Sequence, residues 1–102
     1  MSESIKPFDP AEYLETEEDI REFLEEATKG TPEEFIHALN TAARAAGMTE
    51  VARKAGVSRA SLYKTLSGEG SPKYETVRKI VEALGCRLTV IPDDTARRNE
   101  VA

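Results

Sequence analysis

At 102 residues the chain holds one domain's worth of polypeptide, because cores of about 100 to 150 residues are the usual unit of folding, and no second domain is expected within it. With 39% hydrophobic and 32% charged residues it is a globular protein richer in charge than average, neither wholly disordered nor embedded in a membrane. A net charge of -5 argues at first sight against a nucleic-acid partner.

Residues 1–15 read as an N-terminal arm. Thr16-Glu-Glu-Asp19 then has the form of a capping box, in which the Thr hydroxyl accepts a helical N–H and Asp19 returns a bond to the Thr N–H. The helix it opens carries Ile20, Phe23, Leu24 and Ala27 on one stripe, with Glu18, Glu22, Glu25 and Glu26 around the other faces, and Gly30 is expected to end it. Thr31-Pro-Glu-Glu34 is a second box, strengthened by Pro32 at a position whose N–H has no helical partner. The second helix is expected to reach Ala46, with Phe35, Ile36, Leu39, Ala42, Ala43 and Ala46 inward and Gly47 as its stop.

From Thr49 the elements shorten. A helix over 49–55 ends at Gly56, and Ser58 caps another that runs to about Leu66. Ser67-Gly-Glu-Gly-Ser-Pro72 is loop by composition. The spacing of Val77, Ile80, Val81 and Leu84 predicts a fifth helix over about 74–84, closed by Gly85.

Arg87-Leu-Thr-Val-Ile91 is β-branched, partly alternating and stopped by Pro92, which suits a short strand. A lone strand needs a mate. Nothing else in the chain reads as strand, so the expected mate is the same segment of a second molecule, with Leu88 and Val90 at the dimer contact; the alternative to pairing is an extended tail packed on its own helices. Residues 92–102 are polar and aperiodic and read as a flexible tail, so 16–91 is the single folded domain.

Charge is unevenly placed. Residues 1–34 hold twelve Asp and Glu against Lys6, Arg21 and Lys29, whereas 44–91 hold nine Lys and Arg against four Glu. Such a split suits two partners of opposite charge, one half covering the other, or simply a solvated acidic helix beside a basic one. The chain has one cysteine, Cys86, and one histidine, His37, too few for an internal disulfide or a Cys/His zinc site, and no metal or cofactor is expected. No apolar run approaches the roughly 18 to 20 residues of a membrane span, and MSESIKPFDP lacks a signal-peptide core, so the expected location is the cytoplasm.

The most informative stretch is 49–66. Two helices crossing steeply through a tight turn need a small residue where the backbones touch, here Ala52, and one tolerant of positive φ in the turn, here Gly56. Val51, Ala55, Val57 and Leu62 then point inward. This is helix-turn-helix spacing, and the Val-Ala-x-x-Ala-Gly-Val-Ser core resembles the Cro and phage-repressor type. Thr65 stands where that family usually has an apolar residue, so Leu62 and Leu66 are expected to pack the second helix.

The resemblance implies that this second helix enters the major groove. Arg59, Ser61, Tyr63 and Lys64 are then the base-reading candidates, Arg59 being able to pair bidentately with guanine. Thr49 and Ser58 at helix starts, with Arg53, Lys54 and Lys73, are the phosphate-binding candidates. Glu50 fits poorly beside a phosphate.

The resemblance extends over residues 8–91. Phe8-Asp-x-Ala11-Glu-Tyr-Leu14, the acidic capped helix, Ala-Arg-Ala-Ala-Gly-Met-Thr, Leu62-Tyr-Lys-Thr-Leu-Ser67 and Leu84-Gly-Cys-Arg-Leu-Thr-Val90 are similar to addiction-module antidote proteins, the HigA-like antitoxins encoded beside RelE/ParE-superfamily toxins. It implies a dimer that represses its own operon and holds a small basic toxin inactive. The residues themselves predict a mainly α, five-helix fold. The absence of a cysteine–histidine pair, a glycine-rich phosphate loop and a metal set predicts no enzyme, and two modules on a two-fold axis of a homodimer predict a palindromic double-stranded DNA site. Glu15, Glu18, Glu22, Glu25 and Glu26 mark the region expected to meet that toxin, through charge complementarity. The alternative is a stand-alone prophage-type regulator with no toxin partner.

Overall fold

The computed structural model describes residues 9–93. Within them lie a 3₁₀ turn, Pro10–Tyr13, and five helices: α1 (Glu17–Ala27), α2 (Pro32–Ala46), α3 (Met48–Ala55), α4 (Arg59–Leu66) and α5 (Tyr74–Ala83). Both capping boxes are formed. Thr16 Oγ1 accepts the Asp19 N–H at 3.0 Å while Asp19 Oδ2 accepts the Thr16 N–H at 3.1 Å. Thr31 and Glu34 do the same at 3.1 and 2.8 Å, satisfying donors that would otherwise face water.

Two glycines set the corners. Gly47, at φ 101°, is the sole residue between α2 and α3: its N–H bonds back to the Ala43 carbonyl, and its own carbonyl accepts the Val51 N–H. Gly56 ends α3 in the left-handed conformation at φ 73°. A Cβ at either would meet no neighbour, so backbone conformation, not lack of space, demands glycine there.

α2 is the central element, packed against the 3₁₀ turn, α1, α3 and α4, while α3 also contacts α4 and α5. Leu39, Leu62 and Ile80 are fully buried where these helices meet, with Ile20, Leu24, Val51, Leu66, Val81 and Leu84 around them. Burying a leucine of this kind contributes about 1.5 to 3 kcal/mol. Alanines 38, 42 and 43 are buried too, and their small side chains let α2 take neighbours on several sides. Thr41 is also buried, its hydroxyl donating to the His37 carbonyl at 3.3 Å within the helix.

Some expectations need correction. Ala46 is exposed, because it lines an open groove and not a packed contact, whereas Ala38 and Thr41 take inward places outside the expected stripe. α1 stops at Ala27, before Gly30: the Thr28 hydroxyl donates to the Glu25 carbonyl at 2.6 Å, and the next two N–H groups close three-residue turns.

Within the single chain residues 87–91 form no strand, and the described residues contain none. β-Branched residues favour extended backbone, but a ladder requires a second extended segment, which the described chain does not offer. The segment instead divides. Leu88 packs with Cys86 against the core, while Val90 and Ile91 stand 95% and 75% exposed. Leu88 and Val90 therefore do not share one outward face. The N-terminal arm is described only from residue 9, and the expected flexible tail lies outside the described residues from 94 onward. Among the described residues, no helix is long and apolar enough to cross a membrane.

Candidate nucleic-acid interface

α3 and α4 are joined by three residues, Gly56, Val57 and Ser58. Val51, Ala52 and Ala55 anchor α3, and Val57 packs half-buried between the two helices and the core. In α4, Leu62 and Leu66 are buried one turn apart and Thr65 is only half-buried, so the i, i+4 leucine pair carries the packing as the sequence predicts.

The rest of α4 faces solvent. Arg59, Ala60, Ser61, Tyr63 and Lys64 are all exposed, Tyr63 by 48%. Ala60 was not among the sequence candidates, yet it stands one turn before Lys64, opposite the buried leucines. The i, i+4 spacing from Lys64 was the signal that could have found it. A methyl group there is suited to apolar contact with a base edge.

Arg59 and Tyr63 act as a pair. The Arg59 guanidinium lies 5.7 Å from the Tyr63 ring centroid, and its Nη2 donates to the phenol oxygen at 3.3 Å. This arrangement orders a long side chain that would otherwise sample many rotamers in water. Ser58 Oγ accepts the Ser61 N–H at 3.0 Å, fixing the start of α4 and leaving the Ser58 hydroxyl hydrogen to donate elsewhere.

The cations around this surface are not equivalent. Arg53 is joined to Glu50 by two hydrogen bonds, one from Nε at 3.2 Å and one from Nη2. The hydrogen bond from Arg53 holds the Glu50 carboxyl below its ordinary range, with smaller help from the charges of Arg53 and Lys54, and Glu50 in return raises Arg53. The Arg53 cation is therefore already partly neutralised within the chain. Lys54, Lys64 and Lys73 are exposed and form no ion pair among the described residues.

Thr49 is exposed in the first turn of α3, and Lys73 precedes α5 beside Tyr74, which is 65% exposed and is not among the residues the sequence marks for DNA contact. Neither helix start has a side-chain cap, so both leave N–H groups able to bind an anion.

The acidic candidates belong to a different element, α1 and the residues just before it. Glu15, Glu18, Glu22, Glu25 and Glu26 are all exposed on or just before α1, and Glu26 is paired with Lys29 at 3.2 Å. α1 carries six carboxylates against one guanidinium, Arg21. Asp19 is committed to the cap. Behind α1 lies a groove of about 490 Å³ bordered by Glu15 and Lys54, and another of about 520 Å³ opens between α1 and the segment after α5. Cys86 lines the second, its thiol pushed up by burial against a smaller opposing effect of Arg21. His37 is exposed.

Residues 4–92 match the family described as "Probable addiction module antidote protein". A protein of Haemophilus influenzae, described as "Uncharacterized protein", is 45% identical over 91 residues, which cover 88% of this chain and 94% of that one. No solved structure matches.

Proposed function

The chain belongs to the addiction-module antidote family, and from that premise we propose that it is a HigA-like antitoxin: it holds a small basic RelE/ParE-superfamily toxin inactive and, as a homodimer, represses its own operon. α3 and α4 serve as a helix-turn-helix of the phage-repressor type. The observation that carries the DNA-binding part is the division of α4, which buries Leu62 and Leu66 and exposes Arg59, Ala60, Ser61, Tyr63 and Lys64 from one rigid support.

In this reading α4 lies in the major groove, where Arg59 pairs with a guanine edge and Ser61, Tyr63 and Lys64 contact neighbouring bases. Thr49, Ser58, Lys54, Lys73 and, less strongly, Arg53 hold phosphates and set the register. A two-fold dimer places two such helices about 34 to 36 Å apart, one turn of DNA, so the operator is palindromic. The carboxylates of α1 repel phosphate and attract a basic protein, which suits them to the toxin and not to the operator.

The test is co-expression with the product of the small gene beside this one, followed by co-purification, a growth assay and a binding assay on the upstream DNA. A stable complex with rescued growth, together with salt-sensitive binding to a palindrome, is the expected result. DNA binding without a protein partner would make the chain a stand-alone regulator. A complex whose repression survives replacement of Arg59 and Lys64 would remove the DNA-reading role from α4.

A further inference from the structure

Between α1 and the segment that follows α5 runs a groove of about 520 Å³ that nothing in the described chain fills. Its floor is apolar. Leu24 and Val81 are buried there, and Phe35, Cys86 and Leu88 are half-buried. One wall is α1, whose Glu18, Glu22 and Glu25 recur at i, i+4 and i+7 along a single face and are exposed. Beyond Leu88 the chain continues into Val90 and Ile91, both largely exposed, so apolar surface extends from the groove into solvent.

We propose that this groove is the docking site for the toxin, receiving a basic, amphipathic segment whose apolar residues rest on Phe35, Val81 and Leu88 while its cations meet Glu18, Glu22 and Glu25. The inference rests on the antitoxin reading and assigns it a surface. Charge selects this occupant. The groove's own lining includes Arg21 and Arg87 beside the three glutamates, but an approaching segment meets the whole of α1, where six carboxylates face one guanidinium. A second copy brought to the same place across a two-fold axis would set α1 against its own like charge, which a compact contact does not tolerate. The apolar floor supplies what the acidic wall cannot: charged rims steer association, whereas buried apolar anchors slow dissociation.

Cys86 makes the proposal testable, since it lines the groove and is the only cysteine of the chain. The experiment measures the rate at which a maleimide modifies Cys86 in the full chain, alone and bound to the purified product of the neighbouring small gene. It is paired with the association rate of a Glu22→Lys, Glu25→Lys double variant. Expected are protection of Cys86 in the complex and an association rate lowered about tenfold by the double variant, with its thermal unfolding unchanged. Modification of Cys86 beforehand should block the complex. A complex of normal affinity in which Cys86 reacts at its free rate and the double variant associates normally would overturn the groove and leave the antitoxin reading intact. Protection that grows with the concentration of this chain alone, and that persists in a Val90→Lys, Ile91→Lys double variant, would give the groove to a second copy and overturn the proposal. Absence of any complex would remove the antitoxin reading and the groove together.

Discussion

Asp9 and Arg44, 35 positions apart, meet in a two-bond ion pair: Arg44 Nη1 donates to Asp9 Oδ2 at 2.9 Å and Nη2 to Oδ1 at 3.1 Å. The same Asp9 Oδ1 accepts the Ala11 N–H at 3.2 Å and so caps the 3₁₀ turn. One carboxylate therefore starts the turn and fastens it to the last turn of α2. Leu14, at the end of the 3₁₀ turn, packs on the core and borders the groove behind α1.

This pair makes a small part of the stability depend on acid. The hydrogen bond from Arg44, aided by that from Ala11, holds the Asp9 carboxyl below its ordinary range. A depressed carboxyl pKa contributes stability that is complete above the unfolded-state pKa and disappears as pH falls through the folded one. We expect Asp9→Asn to be less stable than the parent at neutral pH and equal to it in strong acid, in thermal unfolding followed across that range. A difference that persists unchanged into strong acid would mean that Asp9 acts through something other than its charge.

The Glu50–Arg53 pair leads to a gain instead of a loss. Glu50 accepts from Nε and Nη2 of Arg53 and places a negative charge where the proposed phosphates lie. Replacing Glu50 with Gln should release the cation, strengthen binding to any DNA sequence and steepen the salt dependence by about one unit of slope. Titrations at several salt concentrations on operator and random duplexes measure this. An unchanged slope would place Arg53 away from the backbone.

Much of the fold was legible because its signals are local. The boxes at Thr16 and Thr31, the glycines at 47 and 56 and the cap at Ser58 act within a few residues, and each occurs where the sequence predicts it. What was not legible depends on distant groups. Asp9 and Arg44 carry no sign of one another in sequence, and the burial of Ala38 and Thr41 follows from α2 being surrounded on several sides. Residues 87–91 have strand composition, but composition does not provide the partner a strand requires. The exposed face of α4 is legible in its long polar side chains, whereas the methyl group of Ala60 carries no polar signal. The Glu50–Arg53 spacing of three was visible, and its helical geometry already implied the pair.

Base reading and phosphate binding separate in their consequences. Arg59→Ala should cost about 1 to 3 kcal/mol on the operator and much less on random DNA, with preference lost at one base pair in each half-site. Lys73→Ala should weaken binding to all sequences alike and lower the salt slope by about one. The discriminating measurement is a set of operators mutated one base pair at a time, bound by each variant. If the two variants show the same pattern of base preference, the division of labour between α4 and the start of α5 is wrong.

The proposed homodimer places its demand on the end of the described chain. Leu88 is held by its own core, so it is a poor choice for a contact with a second molecule, whereas Val90 and Ile91 expose apolar surface that water solvates badly. Pairing this segment with its two-fold copy would supply the ladder partner it lacks and cover those side chains. Val90→Lys combined with Ile91→Lys should therefore convert a dimer into a monomer while leaving thermal unfolding of the monomer close to that of the parent, because neither side chain belongs to the core. Sedimentation equilibrium measures the first and circular dichroism the second. The double variant should also lose most of its affinity for a palindrome and little of its weak affinity for one half-site, since the second helix is delivered only by the partner protomer. A variant that remains dimeric would move the two-fold contact elsewhere and leave Val90 and Ile91 to the toxin groove alone.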